Sequence, residues 1–126
     1  MVGLVVVSHS ERAAEGIREV AAEMAGDVSI EAVGGDPDGG LGTSTPVIQE
    51  ALDALADEKG VVVLVDLGSA VMNTELAIEM ADVEAEIADA PILEGAVNAA
   101  VAATSPKATV ESVLEAAEEA AEISKL

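Results

Sequence analysis

The sequence predicts a small doubly wound α/β domain, with about four parallel strands in the order 2-1-3-4 and helices on both faces. Three observations lead there. Val2–Val7 and Val61–Val65 are continuous apolar runs rich in β-branched residues, as strands buried on both faces must be. Helical stripes alternate with strand-like segments along the chain, which calls for parallel strands joined by crossover helices. At 126 residues, with no repeat and no long linker, residues 1–126 read as one domain able to bury its own core.

The elements follow in order. After the first strand, Ser10 is placed to cap a helix over about Glu11 to Ala25. Ala13, Ile17, Val20, Ala21 and Met24 would form its apolar face, and Gly26 would stop it. Val28–Val33 alternates apolar and polar residues, so it reads as a strand nearer an edge. A glycine loop, Gly34 to Gly42, runs into Thr43-Ser44-Thr45-Pro46, where hydroxyl residues before proline mark a helix start. Ile48, Ala51, Leu52 and Leu55 supply the stripe of that helix. Beyond the second apolar strand, Asp66 to Asn73 is a turn entering a helix that lasts to about Met80. Val83–Ala88 is a short strand, Pro91 ends it, and Glu94 to Ala103 is an Ala/Val-rich buried helix. Val110, Val113, Leu114 and Ala117 mark the last helix, after Ser105-Pro106.

Composition narrows the function. There are 25 acidic and 5 basic residues, a formal net charge of −20, which repels nucleic acid and anionic membranes alike. With 51% hydrophobic residues and clear periodicity the chain is folded rather than disordered, and its acidity reads as adaptation to high salt. At molar salt the Debye length falls to about 3 Å and screens the self-repulsion, so dilute buffer should loosen the fold. There is no Phe, Tyr or Trp, leaving Val, Ile, Leu, Met and Ala to fill the core. There is no Cys, which excludes disulfides, thiolate metal sites and cysteine nucleophiles. The opening apolar run is too short for a signal peptide and lacks a basic leader, and no stretch is long enough to span a membrane. A cytoplasmic protein is expected.

Three polar loops follow three strands, and in a parallel sheet they emerge on one edge. The first carries Ser8, the sole histidine His9, and Ser10; the second carries Gly42, Thr43 and Ser44; the third carries Asp66, Gly68 and Ser69. With the first and third strands adjacent, Asp66 faces His9, holds one ring nitrogen and leaves the other as a nucleophile toward phosphorus. Backbone N–H groups at helix starts would hold the phosphoryl oxygens, through Ser10, Gly42-Thr43-Ser44 and Gly68-Ser69, with Arg12 the nearest cation. The bland reading of each feature is an idle histidine, a helix-capping aspartate and a flexible turn. The glycine loop lacks Gly-Lys-Ser/Thr, so it is not a nucleotide-binding P-loop. Leu41 and Met72 are either exposed contacts or core.

Leu4-Val5-Val6-Val7-Ser8-His9-Ser10, Gly42-Thr43-Ser44, Val65-Asp66-Leu67-Gly68-Ser69-Ala70 with Asn73, and Ala90-Pro91-Ile92-Leu93-Glu94-Gly95-Ala96 resemble the phosphotransfer (M) subunits of dihydroxyacetone kinases of the phosphotransferase system. The first domain of those subunits is similar to the mannose-type enzyme IIA, and the similarity spans nearly the whole chain in order. The resemblance implies that His9 accepts and donates the phosphoryl group and that Asp66 orients it. It implies phospho-HPr as donor, itself charged by enzyme I from phosphoenolpyruvate. The acceptor would be ADP held in the kinase L subunit, whose partner subunit K binds dihydroxyacetone. It also implies a homodimer, and neither metal nor cofactor. Longer relatives fuse HPr-like and enzyme-I-like domains behind the first, so a chain ending at Leu126 is expected to draw on them as separate proteins. Ala96 to Ala103 is a candidate part of the dimer surface. Three other readings are a mannose-type sugar phosphotransferase component, a regulatory phosphohistidine module, and a flavodoxin-like ligand-binding domain. The Asp66-Leu67-Gly68-Ser69 loop argues against the first of these, and the lack of aromatic residues against flavin binding.

Overall fold

The computed structural model describes residues 1–126. Strand β1 (Val2–Ser8) is buried at every position and runs up the middle of the sheet. Its neighbours are β2 (Ile30–Gly34) on one side and β3 (Gly60–Val65) on the other, with β4 (Ala85–Ile87) beyond β3. All pairs are parallel and the order is β2-β1-β3-β4, as expected from the sequence. Helix α1 (Glu11–Met24) links the first two strands, α2 (Thr45–Asp53) the next two, and α3 (Ser69–Met80) the last two. Helices α4 (Ile92–Ala103) and α5 (Val110–Glu119) complete the chain, followed by a short 3₁₀ turn, Ala120–Glu122.

The two-residue period of a strand divides the core. Val2, Leu4, Val6, Val62 and Leu64 face α1, α4 and α5, whereas Val5, Val7, Val61 and Val63 face α2 and α3. Each fully buried Val or Leu stabilises the fold by about 1.5–3 kcal/mol. These aliphatic side chains and the helix alanines take the place of the missing aromatic residues.

The structure corrects the predicted face of α1. Ala14, Ala21 and Ala25 are buried and Ile17 partly so, while Ala13, Val20 and Met24 point outward. The reason lies in the neighbouring helix, because α1 packs beside α4, whose inner face is also alanine. Between two such closely packed helices small side chains fit and larger ones do not. The same packing takes the alanines on the inner face of Ala96–Ala103 out of reach of another copy, while Val101 on the outer face is 46% exposed. Ala96, Ala99, Ala100 and Ala103 are fully buried in the chain's own core. The other boundaries move by one to three residues: β2 starts at Ile30 rather than Val28, β4 shrinks to Ala85–Ile87, and α4 starts at Ile92. The alternation over Val28–Val33 predicts a strand nearer an edge, and β2 is an edge strand.

One glycine positions the site. Gly34 ends β2 opposite Ser8, and a Cβ there would lie 2.7 Å from the carbonyl oxygens of both Ser8 and Ser10. Only glycine lets the turn from β1 into α1 lie this close to β2.

Candidate functional site

β1 and β3 are adjacent and in register, with Val7 opposite Val65. The loops that follow them therefore emerge together, and they carry His9 and Asp66. His9 Nδ1 lies 2.9 Å from Asp66 Oδ1. The other carboxylate oxygen, Oδ2, accepts the His9 backbone N–H and the Ser8 hydroxyl, each at 2.9 Å. The Ser10 N–H in turn donates to Ser8 Oγ at 3.1 Å. An unbroken chain of hydrogen bonds thus runs from the start of α1 through Ser8 to the carboxylate.

Burial acts on Asp66 to raise its pKa, but the His9 N–H, the imidazole and the Ser8 hydroxyl outweigh it and hold the carboxyl below its ordinary value. An ionised carboxylate only accepts hydrogen bonds, so the proton of a neutral His9 ring sits on Nδ1. Nε2 then carries the free electron pair. Ser69 Oγ lies 2.9 Å from Nε2 and is its hydrogen-bond donor in that tautomer. The His9 side chain keeps 25% of its exposure and Asp66 21%, so the ring is held yet reachable from solvent.

Ser69 is the first residue of α3 and Gly68 its N-cap. The N–H groups of Leu67, Gly68 and Ser69 make no hydrogen bond to the rest of the chain. They are the free donors of a helix N-terminus, where partial positive charge gathers. Gly68 and Ser69, two of the phosphoryl-oxygen donors expected from the sequence, thus have their N–H groups unpaired.

The other predicted positions are near but differently engaged. Ser10 Oγ accepts the Ala13 N–H as the cap of α1. The Gly42 N–H is spent on the His9 carbonyl at 2.8 Å, and at φ +147° this residue takes a backbone conformation that favours glycine. Thr43 Oγ1 accepts from Asn73 Nδ2 at 2.8 Å, which ties the glycine loop to α3. Ser44 is the N-cap of α2, with its side chain out of the cap. The Gly42 N–H therefore braces the histidine loop, whereas the N–H groups of Thr43 and Ser44 make no hydrogen bond to the rest of the chain. Leu41 and Met72 are both exposed. Arg12 makes no ion pair and lines a hollow with Ser10, Gly40 and Leu41.

Sequence reasoning assigns no role to the Ser8 hydroxyl or the Asn73 amide. For Ser8 a signal was present: a hydroxyl ending a wholly apolar central strand is buried and needs a partner. For Asn73 there was none, because its partner Thr43 is 30 residues away in sequence. A cavity of about 680 Å³ lies on the far side of the Asp66-Leu67-Gly68 turn, between α3 and β4, and excludes His9. No group of three or more potential metal-binding side chains is present.

A parallel sheet whose edge holds an aspartate-bound imidazole at a helix N-terminus defines a class of histidine-centred α/β domain. Within it the chain belongs to the mannose-type enzyme IIA family: residues 3–114 match the family model described as PTS system fructose IIA component. The chain is similar to two proteins of Listeria innocua, the phosphoryl donor subunits of PEP-dependent dihydroxyacetone kinases 2 and 1. It is 40% identical to the former over 80% of this chain and 85% of that one. It is 44% identical to the latter over 75% of each. It is also 37% identical to the corresponding Escherichia coli subunit, over 83% of this chain but 24% of that longer protein. Among solved structures, a protein described as of unknown function superposes with a TM-score of 0.81 at 30% identity, covering 93% of this chain and 92% of the other. The phosphotransferase system component EIIA of Streptococcus agalactiae shares the fold, with a TM-score of 0.63 at 21% identity and 94% of each chain covered. No helix is long and apolar enough to cross a membrane.

Proposed function

We propose that this chain is the phosphoryl donor subunit of a PEP-dependent dihydroxyacetone kinase, a phosphotransferase component working through phosphorylated His9. The observation that carries the reading is the line Asp66–His9–Ser69, with the carboxylate on Nδ1 and the start of α3 at Nε2. Likeness to the Listeria subunits supports the choice of kinase.

The chemistry balances in two transfers. The Nε2 electron pair attacks the phosphorus of phospho-HPr, and the N–P bond of the donor breaks with its electron pair returning to the donor imidazole. The Ser69 hydroxyl swings from Nε2 to a phosphoryl oxygen, joined by the free N–H groups of Gly68 and Ser69. His9 keeps its Nδ1 proton, so the phosphorylated ring is cationic and Asp66 neutralises it. In the second transfer a β-phosphate oxygen of ADP, held in the L subunit with subunit K beside it, attacks the same phosphorus. The Nε2–P bond breaks, the pair returns to Nε2, and ATP forms. Arg12, in the first turn of α1, is the cation closest to His9 in the sequence and would assist an incoming phosphate. A homodimer belongs to this reading, made through a surface other than the α4 alanines.

The test is phosphoryl transfer in high salt with enzyme I, HPr and labelled phosphoenolpyruvate. Acid-labile, base-stable label on His9 that chases into dihydroxyacetone phosphate on adding the kinase subunits is the expected result. His9→Ala should remain folded and take up no label. Uptake by that variant ends the proposal. Label that forms but does not chase favours a sugar-transport or regulatory module instead.

A further inference from the structure

The head of α3 meets His9 with little packing to hold it there. Its N-cap, Gly68, offers no side chain, and Leu67, Gly68 and Ser69 are exposed, so Ala70 is the one fully buried residue of the first turn. A polar tie comes one turn later. Asn73 follows Ser69 by four residues and so shares its face of the helix. Asparagine is less favourable than alanine inside a helix, and this one is anchored at two points. Its Nδ2 donates to Thr43 Oγ1 at 2.8 Å, and its backbone carbonyl accepts the Thr45 hydroxyl at 3.4 Å. Thr43 directly follows Gly42, whose N–H donates to the His9 carbonyl at 2.8 Å. The contacts close a ring. It runs from the His9 backbone to the glycine loop, from Thr43 to Asn73, and back along one turn of α3 to Ser69. The Ser69 hydroxyl completes it on His9 Nε2 at 2.9 Å. The other side-chain tie from α2 to this helix, Gln49 Nε2 donating to the Met80 carbonyl, lies at the far end.

We infer that Asn73 is a positioning residue: acting through Thr43, it fixes the head of α3 against the His9 ring, so that Ser69 and the free N–H groups are in place for a phosphoryl group on Nε2. The inference rests on the reading of His9 as a phosphoryl acceptor. Alignment is what such a tie governs, and a misplacement of about 1 Å can cost about 10²-fold in rate. The Asn73 amide is engaged within the chain, so its loss falls on the transfer step and not on capture of the donor.

The sole histidine makes the test direct, because its ring supplies every imidazole signal in a nitrogen-15 spectrum. Asn73→Ala and Thr43→Val are each expected to move the Nε2 signal, which senses the Ser69 hydroxyl. Each should lower kcat for uptake from phospho-HPr by about tenfold or more, with KM within about twofold of the parent. The double variant should be no slower than the slower single one, because both substitutions cut the same link. Thr43→Ser keeps the hydroxyl and should keep the parent's signal and rate. A folded Asn73→Ala with the parent's Nε2 signal and kcat, whatever its Tm, reduces Asn73 to a structural tie and overturns the inference. So does a Thr43→Val protein that matches the parent while Asn73→Ala does not, or a double variant whose losses multiply. A parent that takes no label from phospho-HPr would instead strike the underlying function, while the ring signals would still report whether Asn73 sets the site, so the two failures are separable.

Discussion

Helices α3 and α4 are each twelve residues long and rich in apolar side chains, yet they face opposite ways. Helix α4 sits between α1 and α5 and buries Gly95, Ala96, Ala99, Ala100 and Ala103. Helix α3 buries three small residues and turns its methionines and Leu76 to solvent. Apolar content says only that a helix prefers contact; the side on which the small residues fall says which contact. In α4 they serve close packing within the chain. In α3 they seat the helix on the sheet, so that its N-terminus meets His9 and its large residues stay free. Helix α4 is thus scaffold, and α3 is the helix whose end meets His9.

The sharpest way to break that contrast acts at the head of α3. Asp66→Ala is expected to slow transfer by about 10²-fold while His9 still accepts label, since the carboxylate orients the ring and does not react. Equal loss in His9→Ala and a folded Asp66→Ala, measured by quench-flow labelling, would erase the division of roles.

A second substitution pair compares the two helices directly. Ala99→Leu overpacks the α4 side and should cost about 1–3 kcal/mol in a urea melt. Met72→Ser should stay within about 0.5 kcal/mol of the parent, because it removes an exposed side chain. A comparable loss for both would mean that the outer face of α3 is structural.

Much of this contrast could be read from the sequence, but not its direction. The strand order, the meeting of His9 with Asp66, and the Ser10 cap followed from two apolar runs and the rule that parallel strands share a working edge. The outward Val20 and Met24 did not. Stripes at positions 13, 17, 20, 24 and 14, 17, 21, 25 of α1 are both helical, and only the alanines of α4, some eighty residues later, choose between them. In the glycine loop, glycine and hydroxyl residues suit both a phosphate cradle and a brace for the histidine turn. Its N–H at Gly42 is taken by the His9 carbonyl, a long-range pairing that no local pattern encodes.

Salt tests the outer faces that both helices present. If the net charge of −20 is an adaptation, Tm should rise by several degrees from dilute buffer to molar salt. A flat Tm overturns that reading of the composition.

The smallest expected effect sharpens the description of the site. The Asp66 pKa is lowered in the fold, so the stability it contributes is present above the ordinary carboxyl value of 3.8 and is lost as pH falls through the depressed one. Ser8→Ala removes one donor to Oδ2 and should move that acid loss to higher pH, while Ser8→Thr restores it. Carbon-13 titration of the Asp66 carboxyl reads the shift, and an unmoved titration would reduce Ser8 to a space-filler.

The central position of β1 has a consequence for how the protein is made. It is synthesised before either of the strands that flank it, and its partner at Gly60–Val65 follows some sixty residues later. Until then a wholly apolar strand waits with one edge open, the kind of exposure that invites aggregation. His9 is translated well before Asp66 and the first turn of α3, so its ring has neither of its two side-chain hydrogen-bond partners until a much later stretch of the chain is made.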